Sequence, residues 1–67
     1  MIQEFLDLST RIEKGFIYVN NANEKDKEKY RKLLNSLIEE YEKKLEFVTD
    51  EDTRKMLTRI FILSVRG

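Results

Sequence analysis

Histidine, cysteine, tryptophan and proline are all missing from this 67-residue chain, and glycine occurs twice. Without cysteine there is no disulfide staple, no thiolate nucleophile and no zinc site of the usual kind. Without histidine the chain lacks the side chain best suited to proton transfer near neutral pH. The shortage of proline and glycine removes the two strongest helix breakers. An excess of one charge is missing too, because 13 basic residues balance 13 acidic ones. Nothing in the net charge draws the chain toward nucleic acid or an anionic membrane, so any such activity has to rest on local clustering. No apolar run approaches the roughly 20 residues of a spanning helix. The start, Met1-Ile2-Gln3-Glu4-Phe5, carries no basic region ahead of an apolar one, so no secretory signal is read. A cytoplasmic location is the default expectation, and Met1 favours a complete chain.

What is present is periodicity. Hydrophobic residues make up 40% of the chain, and their regular spacing argues for a small soluble folded domain rather than disorder. One domain is the most this length allows, near the lower size at which a chain folds unaided. With no staple, it needs well-packed helices or a partner chain.

The stretch that organises the rest is 23–48, read as one long amphipathic helix. Tyr30, Leu33, Leu34, Leu37, Ile38, Tyr41, Leu45 and Val48 recur there at three- and four-residue steps and share a face. Arg31, Asn35, Glu39, Glu42, Lys43 and Glu46 lie opposite. Asn23 suits the N-cap, with Glu24 and Asp26 in the first turn where the helix dipole favours acids. The charged run that follows offers the pairs Glu24–Lys27, Asp26–Lys29 and Glu28–Lys32 at helical spacing, each worth a few tenths of a kcal/mol at most.

Residues 2–19 place Ile2, Phe5, Leu8, Ile12, Phe16 and Val19 in a single stripe. Gly15 beside that stripe has three readings. It is a tolerated glycine costing about 1 kcal/mol against alanine, a point where a neighbouring helix comes close, or a helix end that leaves 16–19 extended. The phase shared by Phe5, Ile12, Phe16 and Val19 favours a continuous helix. In the last segment Met56, Leu57, Ile60, Phe61 and Ser64 share a helical face, Ile62 lies outside it and Val65 falls at its edge. That run is also rich in strand-favouring residues, so two strands, 16–19 and 60–65, are the competing picture. Thr49 or Asp50 can cap this segment as a helix. The expected fold is all-α: a small antiparallel three-helix bundle built on one long central helix. Its helices are expected at 2–19, 23–48 and 52–65, with dimerisation as a way of completing the core.

The residues left for catalysis are carboxylates, Lys, Tyr, Ser and Thr. Glu39, Glu40 and Glu42 sit close together, as do Asp50, Glu51 and Asp52. Neither group has the ligand spacing or glycine of a calcium loop, and both read more simply as a solvated helix face and a helix cap. No enzyme activity, metal or cofactor is expected. Leu6, Ile17, Phe47, Ile62 and Val65 lie at or beyond the edges of the stripes. Grouped on a surface, they would form a protein interface. The expected function is a non-enzymatic protein–protein interaction or assembly module. Its partner would be a second copy, long helix against long helix with the Tyr30 and Tyr41 hydroxyls free at the rim, or another helical protein. The alternative is a nucleic-acid-binding protein using Arg54, Lys55, Arg59 and Arg66, the only charges after Asp52, with Lys25, Lys27, Lys29, Arg31 and Lys32 as a second basic group. A membrane-surface role, with Ile60, Phe61, Ile62 and Leu63 inserted, is disfavoured by the balanced charge and by the need to cover the long helix. No stretch matches a motif specific enough to name a family.

Overall fold

A computed structural model describes residues 2–66, which form three helices: α1 over Ile2–Asn21, α2 over Glu24–Glu46 and α3 over Glu51–Arg66. Their boundaries follow from the caps. Asn23 takes an extended backbone, and its side chain accepts the Asp26 N–H at 3.0 Å, one of the amides a helix start leaves unpaired. Asp50, rather than Thr49, caps α3. Its carboxylate accepts the Thr53 hydroxyl at 2.6 Å and the Thr53 N–H at 2.9 Å, and its carbonyl accepts the Arg54 N–H at 2.9 Å. The hydroxyl first, and then the amide, hold the Asp50 carboxyl below its ordinary value of 3.8. At the end of α2, the Phe47 and Val48 N–H groups bond back to Lys44 and Leu45. Val48 therefore lies just past the helix, yet it is buried.

The pairing of α1 with α2 is antiparallel, as the contacts between them show in order. Glu4 meets Lys44 at 3.4 Å, Phe5 meets Tyr41 edge-on at 5.0 Å, Gly15 meets Leu34, and Tyr18 stacks on Tyr30 at 6.0 Å. After the short 47–50 connection, α3 returns against both. The resulting rod measures 42 × 17 × 15 Å. Its core holds Phe5, Leu8, Ile12 and Val19 from α1, Leu34 and Tyr41 from α2, Val48, and Leu57 from α3. Ser9 and Ser64 are buried as well, and each hydroxyl donates to a carbonyl of its own helix, Leu6 and Ile60 respectively.

Tyr41 is the hub. It has no exposed surface, lies between Phe5 and Phe61 with both ring centroids 5.0 Å away, and donates its hydroxyl to the Leu57 carbonyl at 2.7 Å. Burial pushes its phenol above the ordinary value. The expectation of a free Tyr41 hydroxyl at an interface rim is thereby corrected: a phenol in an apolar core needs a partner, and α3 supplies it.

The all-α expectation holds, and α1 runs unbroken through Gly15. No strand forms among the described residues, so the strand-pair alternative is not realised. Three stripe residues expected inside are outside: Ile2, Leu33 and Met56. The reason is stripe width. At 100° per residue, Leu33 and Ile38 stand about 140° apart on α2. Ile38 is half-buried against the core, while Leu33 is left 56% exposed. Leu37 and Leu45 are half-buried too. None of the three expected ion pairs in the 24–32 run is formed. Among the described residues the ion pair present is Glu4–Lys44, which ties α1 to α2. Exposed pairs within one helix gain little over solvation, so their absence costs little.

Candidate functional site

Two exposed surfaces set several apolar side chains beside a group of cations. The first is a groove of about 310 Å³ on the outside of the α1–α2 pair. Gly15 makes it possible. A Cβ at that position would lie 2.9 Å from a Leu34 methyl, so the glycine lets α2's leucine approach the α1 backbone. Tyr18 and Tyr30, stacked, wall one end of the groove, Leu33 and Leu37 form its α2 side, and Arg11 and Lys14 form its α1 rim. Beyond Leu33 a shallower depression is lined by Lys25, Lys29 and Lys32, together with Glu28 and Ser36. The groove is thus apolar at its floor and bordered by cations on both sides.

The second surface is the outward side of α3. Leu57, Ile60, Phe61 and Ser64 turn inward, so the residues half a turn away face solvent. Lys55, Arg59, Ile62 and Arg66 follow one another at steps of four, three and four, a straight ridge about 16 Å long. With Arg54, Thr58 and Leu63 they line one shallow hollow, which Glu51 closes at the helix start. All four cations singled out from the sequence as nucleic-acid contacts therefore share one surface.

The five residues singled out as a protein interface are spread over α1, the end of α2 and α3. Leu6 and Ile17 are exposed on one side of α1, three turns apart. Phe47, 82% exposed, sits at the end of α2, and Ile62 belongs to the α3 ridge. Val65 is half-buried against the core. Sequence reasoning missed Tyr18 as a surface residue and misplaced Leu33, while Leu63 was named for a surface only in the membrane reading. The usable signal was Gly15 itself: it lies three residues before Tyr18, on the same side of the helix as Arg11 and Lys14, outside the α1 stripe.

Glu39, Glu40 and Glu42 are exposed, and no group of three acids converges on a common point among the described residues. Asp50 and Tyr41, with their shifted pKa values, serve as a helix cap and a core hydrogen bond. No described helix is long and apolar enough to cross a membrane. Comparison with family models, curated proteins and solved structures yields no match.

Proposed function

We propose that this chain is a non-enzymatic assembly module that pairs with a second copy through the open α1–α2 face. The observation that carries this reading is the apolar groove itself. Leu33 and Tyr18, both more than half exposed, stand beside Leu37 and Tyr30 on a face that no third helix covers. Apolar side chains grouped in this way gain from a covering surface, whereas scattered ones are ordinary.

Among the charges bordering the groove, one pair on α2 suits a second copy as that cover. Lys29 lies four residues before Leu33, and Glu40 lies three after Leu37. A second α2 laid antiparallel, with its two-fold axis passing between Leu34 and Asn35, sets Lys29 of each copy opposite Glu40 of the other.

Sedimentation velocity over a wide concentration range tests the reading. A dimer mass is expected, falling to a monomer mass for Leu33→Glu with helicity unchanged. Lys29→Glu should weaken the dimer, and adding Glu40→Lys should restore it. A monomer at every concentration overturns the proposal.

A further inference from the structure

We infer that the α3 ridge is a docking surface for an anionic phospholipid bilayer, independent of pairing through the α1–α2 face. The ridge presents Lys55, Arg59 and Arg66 in line, with Arg54 at its side, and α3 carries no acid after Asp52. Past Glu51 and Asp52 at its start, this surface is cationic: the basic residues of α3 gather on the side turned away from α1 and α2. Such a surface attracts phosphate-bearing partners of any kind.

The apolar residues decide among those partners. Ile62 lies within the line of cations, and Leu63, 58% exposed, stands next to it. Neither is needed to close the core, because Leu57, Ile60, Phe61 and Ser64 already do so. A nucleic-acid backbone rewards the arginines and leaves the two aliphatic side chains without a partner. A bilayer surface satisfies both features. Its phosphates meet the cations, whose stems reach outward, and the acyl boundary beneath receives Ile62 and Leu63. The covering role of α3 also limits what can insert. Ile60 and Phe61 are committed to the core, so contact is shallow, electrostatically led and sensitive to salt.

Co-sedimentation of the full chain with phosphatidylcholine vesicles, with and without phosphatidylserine, tests this. Binding to the phosphatidylserine vesicles should exceed binding to the neutral ones by about tenfold or more at low salt and fall as salt rises. Arg59→Glu with Arg66→Glu should abolish it. Ile62→Ser with Leu63→Ser should lower it several-fold while circular dichroism stays unchanged, since all four positions are exposed. Absence of binding, or equal binding to both vesicle types, overturns the proposal. So does binding to duplex DNA without vesicle binding, if it survives the Ile62→Ser, Leu63→Ser change, because the ridge would then read phosphate alone.

Discussion

The two ends of the rod are built differently. At one end three helices lie side by side, and Phe5, Leu8, Ile12, Tyr41 and Leu57 are almost fully withdrawn from water. At the other, the tip of the α1–α2 hairpin, α3 has run out. Its 16 residues reach about 24 Å, against about 34 Å for the 23 of α2. With the two helices starting side by side at the 47–50 connection, roughly 10 Å of hairpin extends past α3. There Val19 is the buried residue, while Ile17 and Tyr18 stay exposed, and the exposed Leu33 lies just inside the boundary. A helix that is one-third shorter thus divides a single amphipathic hairpin into a core and a surface. Stability is concentrated at the first end, and unpaired apolar area at the second.

Substitutions at the two tyrosines of α2 test this division most sharply. Tyr41→Ala, at the three-helix end, should cost about 3–5 kcal/mol in urea unfolding, enough to unfold a domain of this size. Tyr30→Ala, in the tip, should cost only about 1 kcal/mol. Equal losses would mean that the two ends are equally packed. Leu37 lies between these extremes. A fully buried leucine loses about 2–5 kcal/mol on truncation, but Leu37 is half-buried and borders the open groove. Leu37→Ala should therefore cost about 1–2 kcal/mol, and a larger loss would place it in the core.

The smallest effect is a pH dependence at the α3 cap. Because the Asp50 carboxyl is held below its ordinary value in the folded chain, the unfolded chain takes up that proton first as pH falls. The stabilisation is complete above the unfolded value of about 4 and disappears as pH falls through the lower, folded one. Asparagine also caps helices, so Asp50→Asn should change melting little at neutral pH and flatten part of the acid decline. An unchanged acid profile would show that the cap at this end does not depend on ionised Asp50.

The helices, their order and the Asn23 cap were legible because they rest on local rules, and the α3 cap was narrowed to Thr49 or Asp50. Three- and four-residue spacing marks a helical face, and Asn23 and Asp50 stand where a cap is required. What the stripes could not show is how much of each would be covered. That depends on where α3 ends relative to α2, which is a property of two lengths and a connection. Leu33 and Ile38 carry the same periodic signal, but they stand about 140° apart on α2, so Ile38 packs against the core and Leu33 does not. The Tyr41 hydroxyl is a similar case, because its partner, the Leu57 carbonyl, lies 16 residues away on another helix. The α3 cations were readable as a group, since a helix with no acid after Asp52 sets them apart. The α1–α2 groove was not, because it depends on Gly15 and Leu34 meeting across two helices.

The hairpin tip also sets how the molecule breathes. Opening it exposes little apolar surface, so α1 beyond Gly15 and α2 before Leu34 can lose their backbone hydrogen bonds while the cluster of Phe5, Tyr41 and Phe61 stays closed. Amide hydrogen exchange should then slow along α2 from Glu24 toward Tyr41 and quicken along α1 from Phe5 toward Asn21. Three of the apolar residues proposed to seat a second copy, Tyr18, Tyr30 and Leu33, lie on this loosest segment. Pairing would slow exchange there first, since a partner that binds only the closed tip draws it away from its open form.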